Sequence, residues 1–195
     1  MSAPDDLLGC LQAVLAERGD AVRAEWHRTL AFGDYVSDRW DKARALGWGE
    51  GSSVYDSCLV LGDVAVGSGV WVGPYTILDG SGGLSVGDGC TVAAGVHIYT
   101  HDNIAQTVTG GAAPIERAPV AIGDRTYLGP NVVVTKGVTV GRGCVVGAGA
   151  LVTRSLPDHA LAVGTPARVV ARVVVDGADV RFDYDDPPTL GAGTP

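Results

Sequence analysis

The sequence predicts an all-β fold, a parallel β-helix built from hexapeptide repeats, with a helical appendage at its N-terminus. The prediction rests on a six-residue period of branched aliphatic residues, on the glycine that often follows them, and on a small or β-branched residue four positions after most of them. The aliphatic register comprises Val54, Val60, Val66, Val72, Leu78, Val86, Val92, Ile98, Ile122, Leu128, Val134, Val140, Val146 and Val152. This period fits neither the 3.6-residue period of an amphipathic helix nor the two-residue period of an exposed strand.

A six-residue period fits a coil of short straight segments that are separated by corners. The aliphatic residue and the small residue of each segment point into a narrow core, and glycine adopts unusual corner conformations without a Cβ clash. Each coil pairs only with its neighbours, so stability accumulates coil by coil. Cys58, Cys90 and Cys144 fall on the small inward register, and we therefore expect them to be packed free thiols.

The first region, residues 1–50, is predicted to be helical. An apolar stripe that starts at Leu7 is interrupted at Gly19-Asp20, and a second stripe contains Trp26. Asp34 is placed to act as the N-cap of a further helix whose inner side carries Trp40.

The second region, residues 51–157, is predicted to be the β-helix, with an excursion loop at about 102–118 where the hexapeptide register is lost. A loop of this length in a compact repeat is usually functional or disordered. The third region, residues 158–195, is predicted to be a C-terminal extension. Within it, 168–175 is either a helix or a strand, and 187–195 is expected to be a disordered tail.

The composition narrows the range of partners and compartments. The net charge of −8 gives no basic face of the kind that nucleic-acid binders carry. The first residues lack the basic and apolar segments of a signal peptide, and no run of 18 apolar residues would span a membrane. No cysteine pair has CxxC spacing, so no metal is expected. We therefore expect a cytoplasmic protein that binds neither nucleic acid nor membrane.

Among the four histidines, His101 is the best candidate for chemistry because it stands at the start of the long loop. A residue at the root of an excursion is held rigidly while a flap covers it. His27 and His159 are interpreted as surface residues, and the role of His97 is left open.

The coil, the histidine at the loop root and the ending Gly164-Thr165-Pro166-Ala167-Arg168 resemble the hexapeptide-repeat O-acetyltransferases, such as galactoside and maltose acetyltransferases. The resemblance covers roughly 54–172. It implies a left-handed β-helix and a homotrimer with each active site between two subunits. It also implies transfer of an acetyl group from acetyl-CoA, as co-substrate, to a hydroxyl of a sugar or sugar-containing small molecule.

The resemblance also implies roles for single residues. His101 matches the catalytic base, and Asp79 matches a carboxylate that contacts the acceptor sugar. The positions that match coenzyme contacts are Tyr127, Gly129, Ala148, Thr153, Arg154 and Arg168. Tyr127 stands where the galactoside enzymes have tryptophan, and their N-terminal acceptor-binding motif is not recognisable in this chain.

The chemistry suits a histidine, because imidazole can accept the proton of an attacking hydroxyl near neutral pH. No covalent intermediate is required, and a backbone N–H near Gly129 is a candidate donor to the oxyanion. Two alternatives stay open: an N-acetyltransferase that acts on an amino sugar, and a non-catalytic scaffold or binding protein. A γ-class carbonic anhydrase would need three histidines around zinc, whereas only His97 and His101 lie in the coil.

Overall fold

The computed structural model describes residues 3–190, with side chains described from Asp6 onward. Three helices come first: α1 (Ala3–Trp26), α2 (Gly33–Val36) and α3 (Arg39–Ala45). The strands and the one later helix follow as β1 (Ser53–Val54), β2 (Leu59–Val66), β3 (Trp71–Val72), β4 (Ile77–Val86), β5 (Thr91–Val92), β6 (His97–Ile98), β7 (His101–Asp102), α4 (Ile104–Val108), β8 (Glu116–Arg117), β9 (Val120–Ile122), β10 (Tyr127–Leu128), β11 (Val133–Val134), β12 (Thr139–Val140), β13 (Val145–Val146), β14 (Leu151–Val152), β15 (Ala160–Val163), β16 (Arg168–Asp176) and β17 (Asp179–Asp183).

The strands stack as a three-faced parallel coil. Face 1 consists of β1, β3, β5, β10, β13 and β15 in that order, all paired in parallel. Face 2 consists of the first parts of β2 and β4 followed by β6, β11 and β14. Face 3 consists of the last parts of β2 and β4 with β9 and β12. The predicted left-handed parallel β-helix with a helical N-terminal part is therefore confirmed.

The hexapeptide register forms the core of this coil. Every aliphatic residue of the predicted register is buried except Val60, which is half-buried. Cys58, Cys90 and Cys144 are buried free thiols, as the inward register predicts. Burial raises the pKa of the Cys144 thiol to about 11, so these cysteines behave as small apolar residues in the column.

The N-terminal helices differ from the prediction in two respects. First, α1 runs without interruption through Gly19 and Asp20, so the predicted break there is wrong. The cost of one glycine in a helix, about 1 kcal/mol, is too small to end it. Second, the N-cap of α3 is Asp38, whose carboxylate accepts from the backbone N–H groups of Trp40 and Asp41.

Asp34, the predicted cap, instead accepts a 2.7 Å hydrogen bond from the backbone N–H of Asp56. It therefore ties the helical region to the first coil. Trp40, predicted to face inward, is 43% exposed, and Ala43 is the buried residue of α3. Lys42 strengthens the same junction, because its ammonium donates to the carbonyls of Tyr55 and Asp56 at 3.1 and 2.8 Å.

The far end of the coil closes with a change of strand direction. Strand β16 pairs antiparallel with β15 and then with β17, so 168–175 is a strand rather than a helix. Antiparallel pairing covers the last edge of face 1, which would otherwise expose unpaired backbone groups. Most of the predicted tail, residues 191–195, lies outside the described residues.

Candidate active site

Asp79 and His101 meet at the corner between face 2 and face 3, which we call the His101 corner. Leu78 pairs with Ile98 in the adjacent coil, so Asp79 leaves face 2 opposite Tyr99 and within reach of the backbone N–H of Thr100. The chain after Thr100 starts the excursion as strand β7, which carries His101. Nδ1 of His101 lies 2.6 Å from a carboxylate oxygen of Asp79.

The Asp79 carboxylate is enclosed by protein donors. One oxygen accepts from the backbone N–H of Ser81 at 3.0 Å and from its hydroxyl at 2.5 Å. The other accepts from the backbone N–H of Thr100 at 2.9 Å and from His101. The side chain of Asp79 is 1% exposed. Its oxygens are therefore saturated from within the chain.

These contacts determine the charge of Asp79. Burial alone would raise the pKa of the carboxyl, but the hydrogen bonds from Ser81, Thr100 and His101 outweigh it and hold the pKa well below its ordinary value. Asp79 is therefore a carboxylate at neutral pH. Because a carboxylate can only accept, Nδ1 of His101 carries a proton, and in the neutral ring the free lone pair is on Nε2.

His101 is enclosed on one side only. Its side chain is 38% exposed, in contrast to Asp79 behind it. The imidazole thus has one nitrogen oriented by a buried anion and the other nitrogen available to a bound molecule. This is the arrangement by which an acidic residue fixes the tautomer and direction of a general base.

The excursion is an ordered hairpin rather than a disordered loop. Strand β7 pairs antiparallel with β8, with His101 opposite Arg117 and Asp102 opposite Glu116. Between them, α4 starts where the Asp102 carboxylate accepts from the backbone N–H of Ile104 at 3.1 Å. The return strand is fixed to the corner by a 2.9 Å bond from the N–H of Ala118 to the carbonyl of Thr100.

A lysine from the next coil closes the base of this hairpin. Nζ of Lys136 lies 2.6 Å from a carboxylate oxygen of Asp102 and 2.6 Å from one of Glu116. Lys136 is placed there because Val134 pairs with Ile98, which puts the residues after β11 beside those after β6.

The six predicted coenzyme positions fall into separate groups. Thr153 and Arg154 are exposed and follow β14, so they lie at the His101 corner, one coil beyond Lys136. Gly129 and Ala148 lie at the corner between face 1 and face 2, in adjacent coils. Tyr127 is 42% exposed on face 1. Arg168 is exposed at the start of β16, where its guanidinium donates to the carbonyl of Ala167.

The contacts bear on two of the predicted roles. The oxygens of Asp79 face Ser81, Thr100 and His101, and its side chain is 1% exposed, so its contacts within the chain are enough to explain a carboxylate at this position. The backbone N–H of Gly129 is committed to the carbonyl of Val146 at 2.8 Å and has no hydrogen left for an oxyanion.

Gly129 also has a structural reason to be glycine. A Cβ there would lie 2.8 Å from the backbone nitrogen of Ala148, closer than real Cβ contacts allow. The pattern that suggested a coenzyme contact at this position therefore also follows from close coil packing.

The other three histidines make no hydrogen bond to Asp79 or His101 among the described residues. Nδ1 of His97 lies 3.3 Å from the hydroxyl of Tyr99 on face 2. His27 is exposed, and His159 is half-buried at the end of the coil. Among residues 3–190 there is no group of three or more metal-ligating side chains, and no helix of that part is long and apolar enough to cross a membrane.

Two sequence families match this coil. Residues 119–154 match the family described as bacterial transferase hexapeptide (six repeats), and residues 63–100 match the family described as hexapeptide repeat of succinyl-transferase. Two segments of the coil therefore carry hexapeptide repeats of the kind found in bacterial transferases.

Relatives of this hexapeptide-repeat protein carry acetyltransferase names. The galactoside O-acetyltransferase of Escherichia coli is 29% identical over 62% of this chain and 68% of its own length. A probable acetyltransferase of Mycobacterium tuberculosis is 34% identical over 56% of this chain but only 37% of its own length. The solved structure of a variant of AntD, an N-acyltransferase from Bacillus cereus, is also similar. That structure, in complex with dTDP-4-amino-4,6-dideoxyglucose and coenzyme A, has a TM-score of 0.58 at 25% identity and covers 64% of this chain and 71% of its own.

Three residues of the His101 corner were missed by the sequence analysis: Ser81, Thr100 and Lys136. A signal for Thr100 and Lys136 existed in the repeat. Residues at the same corner of successive coils are 18 positions apart, as for Tyr127 and Val145, and insertions shift that number. Tracing each corner through the two-residue insertion after Leu78 would have placed Asp79 opposite Tyr99, and therefore next to Thr100.

Proposed function

We propose that this hexapeptide-repeat protein transfers an acetyl group from acetyl-CoA to a hydroxyl of a sugar or sugar-containing small molecule, with His101 as the general base. The 2.6 Å hydrogen bond between Nδ1 of His101 and the buried Asp79 carboxylate is the observation that carries this proposal. It leaves Nε2 as a directed proton acceptor on an exposed face. The names of the relatives, which are acetyltransferases, supply the reaction class.

The reaction follows from this arrangement. Nε2 of His101 accepts the hydroxyl proton while the hydroxyl oxygen bonds to the thioester carbonyl carbon. The adjacent Asp79 carboxylate stabilises the imidazolium that forms. The tetrahedral oxyanion then collapses, the carbon–sulfur bond breaks, and the imidazolium returns the proton to the coenzyme A thiolate. The products are the acetyl ester and free coenzyme A, and no residue is acylated.

Asp79 is a positioning residue in this mechanism, and the acceptor is selected elsewhere. The hairpin that starts at His101 is directly joined to the base, and Ile104 and Val108 are exposed on its helix α4. We propose that this hairpin covers the acceptor. The helical N-terminus is a second source of selectivity, because it lacks the recognisable motif of the sugar enzymes.

The coenzyme is proposed to contact Tyr127, Gly129, Ala148, Thr153, Arg154 and Arg168. Exposed guanidinium groups suit the phosphates of coenzyme A, since they bind phosphate oxygens in a bidentate manner. Arg154 stands on the His101 corner two coils beyond the base, so the extended arm of a coenzyme held there by its phosphates could run along this corner towards His101. Binding of coenzyme A by the similar AntD structure supports the same co-substrate class.

We propose a cyclic homotrimer with the active sites between subunits, as the resemblance implies and as closed symmetry favours. Exposed apolar residues on the early coils support an assembly of this kind. Leu59 and Leu61 on face 2 are 55 and 46% exposed, and Trp71 on face 1 is 36% exposed; large apolar side chains left exposed in this way are available to a subunit interface.

An N-acyltransferase that acts on an amino sugar is the second candidate. It is favoured by the likeness to AntD, which was solved with an amino sugar nucleotide. The enclosed Asp79 favours the hydroxyl acceptor instead. A neutral amine attacks through its own lone pair, whereas a hydroxyl must lose its proton as the bond forms and gains more from an oriented base.

The test uses acceptor pairs that differ only in a hydroxyl and an amine at one carbon. Release of the coenzyme A thiol from acetyl-CoA is measured for each member, and the acetylated product is identified by mass spectrometry. The proposal predicts turnover with the hydroxyl member. Preference for the amine would establish the second candidate, and the absence of turnover across a broad acceptor panel would favour a scaffold or binding role.

A further inference from the structure

We propose that Lys136 is a positioning residue for His101: its ammonium bridges the two carboxylates at the base of the excursion hairpin and fixes the strand from which the imidazole projects. The inference rests on the proposed function for the identity of the base. It goes beyond that function by assigning the control of the base to a residue of the neighbouring coil.

The contacts of Lys136 span both strands of the hairpin. Asp102 lies on the outgoing strand β7 and Glu116 on the returning strand β8, opposite each other in the ladder. Nζ of Lys136 is 2.6 Å from each of them. A single cation therefore holds two segments that are separated by the whole loop, and it holds them to the rigid coil.

The bridge lies at the surface and is partly shielded from solvent. The side chains of Lys136, Asp102 and Glu116 are 23, 30 and 55% exposed, so solvent screens their attraction in part. The hydrogen bonds that Lys136 donates to Asp102 and Glu116 raise the pKa of Lys136, and those that Asp102 accepts from Lys136 and from the backbone N–H of Ile104 lower the pKa of Asp102. Lys136 and Asp102 are therefore both charged near neutral pH.

One member of the bridge is the residue next to the base in the chain. Asp102 follows His101 directly, and β7 consists of these two residues only. On the coil side, the N–H of Gly137 donates to the carbonyl of Ala118 at 3.3 Å, so the residue after Lys136 holds the point where the hairpin returns. His101 thus has two supports: Asp79 fixes its ring, and Lys136 fixes its backbone.

The strength of the effect follows from geometry. A general base acts only when its nitrogen lies within hydrogen-bond reach of the acceptor hydroxyl. Displacement by about 1 Å can lower a rate by about 100-fold. A loosened hairpin would spread His101 over several positions without changing its chemistry, and kcat would fall while the affinity for acetyl-CoA stayed the same.

The experiment compares Lys136→Met, Lys136→Arg and the control Arg142→Met. Methionine keeps the length of the stem and removes the charge, and arginine keeps the charge. Arg142 pairs with Asp158 at 3.1 Å, with both side chains more than half exposed, and it follows β12 on another corner. Hydrogen–deuterium exchange over 102–118 measures the hairpin without any substrate, and kcat and KM are measured separately.

The proposal predicts that Lys136→Met speeds exchange of the hairpin amides about three- to tenfold, in keeping with the loss of a partly shielded ion pair. It also predicts a kcat about tenfold lower, an unchanged KM for acetyl-CoA, and a partial recovery in Lys136→Arg. Arg142→Met should match the wild type in every readout.

Unchanged exchange in Lys136→Met would overturn the bridge itself. Faster exchange with an unchanged kcat would overturn its role in positioning His101. A failure of the proposed function would look different, because His101→Ala would then also keep full turnover.

Discussion

Nδ1 of His101 donates a 2.6 Å hydrogen bond to the carboxylate of Asp79, which lies 22 positions earlier in the chain and one coil away. Asp79 is 1% exposed and His101 is 38% exposed. The pair therefore has a buried anionic end and an open basic end. This polarity assigns the proton to Nδ1 and leaves Nε2 as the only imidazole nitrogen that a substrate can reach.

Asp79→Asn should lower kcat about 10²- to 10⁴-fold, because an amide that donates to Nδ1 would move the ring proton to Nε2. The KM values for acetyl-CoA and for the acceptor should change little, since the carboxylate is enclosed by protein. Steady-state kinetics measured with each substrate varied in turn checks this. A raised acceptor KM with an intact kcat would restore the role of an acceptor contact for Asp79.

Asp79 should also make stability depend on pH in the acid range. Its hydrogen bonds hold the folded pKa below the unfolded value of about 3.9. Its contribution is thus fully present above that value and is lost as the pH falls through the folded pKa. The difference in Tm between wild type and Asp79→Asn should be constant from about pH 7 to 5 and should shrink below about pH 4. If the difference in Tm became larger as the pH falls, Asp79 would not be ionised in the folded protein.

The cysteines should differ sharply in reactivity. Cys10 is exposed on α1, whereas Cys58, Cys90 and Cys144 are buried in the coil. A thiol reagent such as Ellman's reagent should label one cysteine of the native protein and four after denaturation. Cys10→Ser should remove the native signal. Rapid labelling of a second native thiol would show that the inward register is wrong at that position.

Arg168→Ala should raise the KM for acetyl-CoA about tenfold, the usual effect of losing a hydrogen bond from a charged group. The acceptor KM should stay near its original value. Arg181→Ala is the matched control, because Arg181 is exposed on the neighbouring strand β17 and pairs only loosely with Asp183, at 3.9 Å. If both substitutions raised the KM for acetyl-CoA equally, the effect of Arg168 would come from the general charge of the surface and not from a coenzyme contact.

Much of the coil could be predicted from the sequence because its core repeats a local rule. Each aliphatic residue has the same environment one coil later, so a single pattern predicts the burial of residues as distant as Val54 and Val152. The break predicted at Gly19 failed for the opposite reason. There the outcome depended on a small propensity in a helix whose length was set by other residues.

The site was predictable only in part. His101 could be found because it stands at the edge of a broken repeat, a feature that is visible in one segment. The role of Asp79 depends on what lies across the corner, namely Ser81 and Thr100 at 2.5 to 3.0 Å. The Lys136 bridge brings together three segments that are far apart in the chain. A pattern within any one of these segments could not predict that contact.

The central claim is that His101 is the general base. Turnover of acetyl-CoA by wild type and His101→Ala, with binding of acetyl-CoA measured by calorimetry on the same preparations, tests it most directly. The account predicts a kcat lower by about 10²- to 10⁴-fold in the variant with an unchanged dissociation constant. A variant that retains near-normal turnover on the true acceptor would contradict it.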